Sequence, residues 1–346
     1  MKFQFITAIP LDVKRGSGCF VGIQTLAQGL RTLGCEVELI TPKLHFPVFT
    51  IERILFNEQL RLKRFDVHTT IGFDLDGYAL SGNNRRSHIA AIKGVLGDAV
   101  RFESGVTRAT LAFQAHFEKV HARRADRVIT VSNYCAERLE ELYGVRNAIV
   151  IPELIDLDAW RDLFAANPAL PLDGKFIVLC VCRFYPRKRV DMLLRAAAIL
   201  RERIPGLNVR IVGRGPDEHL LHEMWTDLRL EQVVTWVGNA TRTQLAREYN
   251  QADVFCLPSV QEGFGIVFLE AMAAGKPIVA VRAAAVPEVV QHGLLVPPKN
   301  VEALAEAIQL LYSDSDLRAR LGARGKQHVE NYAMTAVAAQ FLKAVT

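Results

Sequence analysis

The chain has 346 residues, half of them hydrophobic and under a quarter charged, with 23 glycines and 14 prolines. This excludes a fibrous or disordered chain, and the length is more than one hydrophobic core usually serves. The net charge of +5 arises in the first half: residues 1–150 carry 20 Lys and Arg against 15 Asp and Glu, whereas residues 151–346 carry 22 of each. Such an excess suits phosphates, anionic lipid headgroups or nucleic acid, and ordinary surface variation gives it equally well.

In chain order, "KFQFITAIP" reads as a strand, "RGSGCF" as a turn, "VGIQTLAQGLRTLG" as an amphipathic helix ending at Gly34, and "CEVELITP" as a second strand. "DVHTTIGF" and "RSHIAAIKG" read as strands, "TRATLAFQAHFEKVHARRA" as a long helix, "DRVITVS" as a strand and "NYCAERLEELYGV" as a helix capped by Asn133, and "NAIVIPE" closes the half. Periodicity weakens between Pro152 and Lys175, where two prolines, Asp173 and Gly174 mark a connection. A second alternating half follows: "KFIVLCVCRF", "VDMLLRAAAILRERIP", "NVRIVG", "DEHLLHEMWTDLRL", "VVTWVG", "RTQLAREYNQ", "DVFCLPS", then "PIVAV", "GLLVPP" and helices from Val301 onward. Strand and helix in repeated alternation imply parallel sheets covered by helices, hence two doubly wound α/β domains in tandem. Ligands of such sheets sit beyond the carboxyl ends of the strands, which puts the expected site in the cleft between domains.

The six cysteines (Cys19, Cys35, Cys135, Cys180, Cys182 and Cys256) form no C-x-x-C pair and have no histidine at metal-ligand spacing, so reduced thiols in a cytoplasmic protein are expected. "MKFQFITAIPL" lacks the pattern of a signal peptide, and no run approaches the about 20 apolar residues of a membrane span. A soluble or peripherally attached protein is expected.

Two segments carry chemistry. In "VCRFYPRKRVDMLL", Arg183 follows a buried-looking strand and Lys188 comes five positions later; a planar fork and a point charge at the carboxyl edge of a strand suit a diphosphate. In "QEGFGIVFLEAMAAG", Glu262 and Glu270 lie eight positions apart, with a turn at Glu262–Gly265 and a short helix stopped by Gly275. A helix start preceded by small residues presents backbone N–H groups and the positive dipole end, which favours phosphate. Glu262 then stands at the ligand end. Glu270 lies one to two turns along the helix, where a carboxylate accepts hydrogen bonds from hydroxyls; the purely structural alternative makes it a member of a buried salt bridge.

"EGFGIVFLEAMAAGKPIVA" resembles the E-x7-E signature of the family 4 retaining glycosyltransferases, and "VCRFYPRKRVDMLLRA", "IVGRGPDEHLL", "LAREYNQADVFCLPS" and "VPEVV" are similar to that family in the right order. In the first half, "GSGCFVGIQTLAQGLRTLGCEVELITP" and "ADRVITVSNYCAERLEELYGV" are similar as well. The resemblance implies a GT-B fold of two Rossmann-like domains, residues 1–160 on the acceptor side and 161–327 holding a nucleotide-sugar donor, with the last helix, about 328–346, packed back on the first domain. It implies retaining, hexosyltransferase-like transfer to an acceptor hydroxyl of a glycan, lipid or small molecule, with no metal and no cofactor apart from the donor substrate. By position, Arg183 and Lys188 would bind the diphosphate and Glu262 the sugar hydroxyls. Gly263, Phe264, Gly265 and Ile266 would supply backbone N–H groups, and Glu270 would hold the ribose. Gly16, Ser17 and Gly18 would approach the phosphates or the acceptor. The alternatives are a GT-B nucleotide-sugar epimerase and a non-catalytic nucleotide-sugar-binding protein.

Three places depart from the family. Lys93-Gly94 stands where many relatives have His-Gly, "PELIDLD" replaces Pro-Asn-Gly-Val-Asp, and "PEVVQHGLLVPP" is shortened. Lys93 is therefore a candidate donor or acceptor contact. The remaining candidates divide as follows. "DLD" at 74–76 reads as a loop or acceptor contact rather than a metal pair, and His116 and His121, on one helix, read as surface or packing residues. "FTIERILFNEQLRLKRF" joins an apolar stripe to Arg53, Arg61, Lys63 and Arg64, with Lys43 nearby; an ordinary surface helix and contact with an anionic membrane face are the two readings. "IVGRGP" lacks the third glycine and downstream acid of a dinucleotide fingerprint, and no nucleic-acid partner is expected.

Overall fold

The computed structural model describes residues 1–9, 18–43, 46–67, 69–82, 87–169 and 174–346. The chain forms two compact units, one of Met1–Leu154 with Met334–Thr346 and one of Ile155–Ala333. Each is an α/β unit whose described strands make a six-stranded sheet, parallel throughout.

The first unit contains β1 (Lys2–Ile6), β2 (Glu36–Ile40), β3 (Thr69–Phe73), β4 (Ser87–Ile92), β5 (Arg127–Thr130) and β6 (Ile149–Val150), in the order β2-β1-β3-β4-β5-β6. The chain leaves β1 toward β2 and returns on the other side of β1 to β3, so the strand order reverses between β1 and β3. One layer of its core joins Phe20, Ile23, Leu26 and Leu30 of helix Gly18–Thr32 to Val337, Ala338 and Phe341 of helix Met334–Val345. Helix Asn133–Tyr143 is capped not by Asn133 but by Ser132, whose hydroxyl accepts from the Cys135 N–H, and it ends at Gly144 in the left-handed region (φ 73°). A serine with extended backbone one residue earlier satisfies the free helix donor, which leaves Asn133 as the first helical residue.

The second unit contains β7 (Phe176–Val181), β8 (Leu207–Val212), β9 (Val234–Gly238), β10 (Val254–Leu257), β11 (Ile278–Val281) and β12 (Leu294–Val296), in the order β12-β11-β10-β7-β8-β9. Every residue of β7, β10 and β11 is buried, as central parallel strands covered on both faces must be. The chain moves outward from β7 through β9, then returns to β10 beside β7, with Val178 opposite Val254 and Leu179 opposite Phe255. The loops after β7 and β10 therefore leave the sheet in opposite directions, and the crevice this creates is where doubly wound sheets hold ligands.

The segment between Pro152 and Lys175 is more ordered than its weak periodicity implies. It contains helix Leu157–Ala166, capped by Asp156 through the Ala159 N–H, with Leu157 and Trp160 buried. An aspartate cap and apolar residues three apart are enough to seed a short amphipathic helix that packing then stabilises.

Candidate functional site

The loop after β7 brings four cations together, and the structure gives each a different task. Arg187 stacks over the Tyr185 ring at 4.4 Å, and Arg189, in the left-handed region at φ 54°, pairs with Asp191. Lys188 reaches across to Glu262, Nζ to Oε1 at 2.5 Å, with both side chains largely buried. Arg183, half-buried, makes no side-chain hydrogen bond or ion pair to a described residue. The loop after β10 is tied to this one by the Val260 N–H and the Ser259 hydroxyl, which both donate to the Arg187 carbonyl at 2.9 and 3.2 Å. The Arg183–Lys188 segment and the Glu262–Gly265 turn thus meet at the strand-order reversal.

A third loop, after β8, closes against the first. Gly213 sits at φ 128°, and a Cβ there would lie 1.8 Å from the Cys182 carbonyl oxygen, so only glycine allows the two backbones to touch. The Phe184 N–H then donates to the Arg214 carbonyl (3.1 Å). The glycines of "IVGRGP" hold the cation-bearing loop in place.

Gly265 starts the helix Ile266–Ala273 with φ 92° and ψ 72°. A side chain at this position would be strained and would meet the Phe268 ring at 2.6 Å. Phe264 is buried with its ring edge against Tyr332 (5.6 Å), which leaves only its backbone for a ligand; Gly263 and Ile266 are half-buried. Glu270 lies one turn into the helix and is 8% exposed. Its Oε2 accepts from the hydroxyl of the fully buried Tyr249 (2.9 Å), and it forms no ion pair with a described residue. Burial pushes this carboxyl up to about 7, against the opposing pull of Tyr249 and Arg242. Tyr249 has no signal in the sequence: it reads as one more apolar position of "LAREYNQ", and only folding brings its hydroxyl to Glu270.

In the first unit, Gly16 and Ser17 lie outside the described residues, and Gly18 is the exposed first residue of helix Gly18–Thr32. Lys93, just past β4, pairs through Nζ with Glu153 Oε2 at 2.8 Å; both side chains are over nine-tenths buried. Two of the departures from the family pattern are therefore partners of each other. Gly22 leaves the room, since a Cβ there would lie 2.5 Å from Glu153 Oε2.

Of the two aspartates in "DLD", Asp76 is fully buried and saturated. It accepts from the Ala8 N–H (2.7 Å), from Arg53 Nε (2.8 Å) and Nη2 (3.1 Å), and from Asn57 Nδ2 (3.1 Å). Asp74, at φ 55°, accepts from the Lys93 N–H (2.8 Å) and the Cys19 thiol (3.4 Å), and burial raises its carboxyl. Arg53 is thus an internal partner of Asp76 and not one of a set of surface cations. His116 is exposed, whereas His121 is buried and its Nε2 lies 2.8 Å from His88 Nε2. The Asp74 carbonyl can only accept from His121 Nδ1–H (2.5 Å), so the proton between the rings sits on His88, whose Nδ1 accepts from the Thr70 hydroxyl (2.8 Å). None of the six cysteines forms a disulfide, and no helix among the described residues is long and apolar enough to cross a membrane.

Two tandem doubly wound units, the second with cations, a glycine-started helix and a buried carboxyl at its strand-order reversal, define the GT-B architecture. Sucrose-phosphate synthase of Thermosynechococcus elongatus has the same fold at TM-score 0.84 and 23% identity, covering 99% of this chain and 98% of that one. HepE of Anabaena, solved with UDP and glucose, superposes at TM-score 0.76 and 18% identity over 99% of both chains. Residues 67–159 match the Glycosyltransferase Family 4 model and residues 165–328 the Glycosyl transferases group 1 model; the chain belongs to this family. A GDP-mannose-dependent alpha-(1-6)-phosphatidylinositol monomannoside mannosyltransferase of Mycobacterium tuberculosis is 34% identical over 219 residues, 59% of this chain and 57% of that protein. A D-inositol 3-phosphate glycosyltransferase of Kribbella flavida is 34% identical over 225 residues, 60% of this chain and 53% of that protein. The chain thus spans a little over half the length of these relatives.

Proposed function

We propose that this protein transfers a sugar from a nucleotide diphosphate sugar to an acceptor hydroxyl, with retention at the anomeric carbon and without a metal. The observation that carries the reading is the pairing of Lys188 with Glu262 beside Arg183, which has no side-chain partner among the described residues, at the strand-order reversal of the second unit. A diphosphate bound there meets a guanidinium fork, an ammonium and the start of helix Ile266–Ala273. As Lys188 turns toward phosphate, the Glu262 carboxylate is freed to accept from sugar hydroxyls. Negative charge gathers on the leaving diphosphate as the glycosidic bond breaks, and these groups stabilise it more than they stabilise the intact donor. Glu270 accepts from the ribose hydroxyls. Neither glutamate acts as a covalent nucleophile: a donor phosphate oxygen takes the acceptor proton on the face from which the diphosphate departs. Gly18 contributes on the acceptor side, and Lys93 is held by Glu153 away from it.

The names of the relatives put GDP-mannose first among donors and inositol-containing polyols and lipids first among acceptors. A thermal-shift panel of nucleoside diphosphates and their sugars should single out one base, because selective binding stabilises the folded state by mass action. Product analysis with that donor and inositol acceptors should then give an α-linked product. An inverted product, or a glycosyl adduct trapped on Glu262 or Glu270, would refute the mechanism. Conversion of the donor to an epimer with no acceptor present would refute the transfer reading.

A further inference from the structure

Helix Phe49–Leu60 is amphipathic in the wrong sense for a helix that lies against a core. Its inward face carries Glu52, Arg53 and Asn57 beside Phe56 and Leu60, all buried. The polar members are engaged: Glu52 accepts from the Phe46 N–H (2.8 Å), while Arg53 and Asn57 hold Asp76. The outward face is apolar. Val48, Ile51 and Leu55, at helical spacing, are 52%, 51% and 40% exposed, with Phe46 and Phe49 at one end of the stripe and Leu62 beyond the other. A second helix, Gly105–Arg124, lies against the first through Gln114, which meets Arg53 (3.3 Å) and Thr50 (2.8 Å), and it exposes Phe113 next to that contact.

The charges left without a partner beside this stripe in the sequence are cations, since Asp66, exposed two residues after Arg64, is held by Lys2 (2.6 Å). Lys43, Lys63 and Arg64 are exposed and pair with no described acid. The one exposed acid of the helix, Glu58, is bound by Arg61 (2.7 Å) and Tyr78 (3.0 Å). A surface that shows water a row of large aliphatic side chains and frames them with cations complements a bilayer carrying anionic headgroups, where the stripe enters the acyl boundary and the cations meet phosphate.

We propose that this face of the first unit docks on an anionic bilayer surface, with Val48, Ile51 and Leu55 inserted and Lys43, Lys63 and Arg64 on the headgroups. The inference concerns binding alone and stands whether or not the second unit transfers a sugar.

The test is co-sedimentation of the whole chain with vesicles of phosphatidylcholine alone and of equal parts phosphatidylcholine and phosphatidylglycerol. Binding is expected only to the anionic vesicles and should weaken as salt is added. Replacing Lys63 and Arg64 by Gln should weaken it about 25-fold, since each removed charge is worth about a fivefold change at the surface. An Ile51→Ser, Leu55→Ser variant, at exposed positions, should melt like the parent and lose vesicle binding. Equal binding to neutral vesicles, no binding to either kind, or unchanged binding by the serine variant would overturn the proposal. So would a concentration-dependent dimer in light scattering that the serine variant abolishes, because the stripe would then belong to a second copy of the chain.

Discussion

Replacing Glu270 by Gln should stabilise the protein above neutral pH while damaging its site. Burial holds this carboxyl at about 7 instead of its ordinary 4.5. Between those values the unfolded chain has released a proton that the folded one keeps. The stabilisation from the retained proton is therefore fully present below pH 4.5 and is lost as pH rises through 7. At about 1.4 kcal/mol per pH unit, the ionised carboxylate costs the second unit about 3 kcal/mol at pH 8. Glutamine never ionises, and its amide oxygen can still accept from the Tyr249 hydroxyl that bonds Glu270 at 2.9 Å. Melting the parent and the Glu270→Gln variant in parallel at pH 5 and pH 8 isolates the effect, because every other titrating group cancels in the difference. The two should melt close together at pH 5, and the variant about 5–10 °C higher at pH 8. The same variant should bind the nucleotide more weakly and lose the preference for a ribose over a deoxyribose. A variant that melts at or below the parent at pH 8 would show that Glu270 carries no unrelieved burial cost.

Arg183→Ala and Lys188→Ala should each weaken nucleoside diphosphate binding about 10- to 100-fold by calorimetry, the size of one lost charge-assisted hydrogen bond; unchanged affinity in both would remove them from the donor site. Lys93→Met strands the buried Glu153 carboxylate and should cost about 3–5 kcal/mol in urea unfolding. Lys93→His combined with Glu153→Asn restores what the family pattern has at both places and should recover most of that loss, so additive losses would refute the pairing. Burial holds His121 at about 4 and pushes His88 well below its ordinary range. Both rings are lowered, so their contribution to stability is present above pH 6.5 and lost as pH falls toward 4, by about 3 kcal/mol for His121 alone. Melting of the first unit should steepen below pH 6, and a His88→Gln, His121→Gln variant should lose that slope.

The alternation of strand and helix was legible because covered parallel strands such as "FIVLCV" are apolar at every position, which hardly any other setting demands. Glu262, Glu270, Arg183 and Lys188 were legible because they lie on two loops whose local spacing is itself the pattern. What the sequence hid were partners distant along the chain. Tyr249 lies 21 residues before Glu270 and Glu153 lies 60 after Lys93, so neither relation leaves a periodicity to detect. In helix Phe49–Leu60 the sequence hid one partner of the same kind: Arg53, which reads as one of its surface cations, turns inward to Asp76, 23 residues on.

Several buried charges of the first unit are matched within the protein, whereas Arg183 and Glu270 at the candidate site are not. In the first unit Asp76 takes four donors, Lys93 and Glu153 neutralise each other, and His88 donates its proton to His121. Each of these groups is satisfied by the protein, which is how a fold holds charge in its interior without needing a ligand; Glu118 of the same unit differs, with one oxygen that has no partner among the described residues and a carboxyl that burial raises to about 8. In the second unit Arg183 has no side-chain partner among the described residues, and Glu270 has a single donor among them and a carboxyl displaced to about 7. Groups left short of partners at a strand-order reversal are stabilised when a ligand supplies the missing charge and hydroxyls, so the donor should raise the stability of the second unit far more than that of the first. Hydrogen exchange with and without the nucleoside diphosphate would measure this directly, and equal protection of both units would contradict the assignment of the donor to the second.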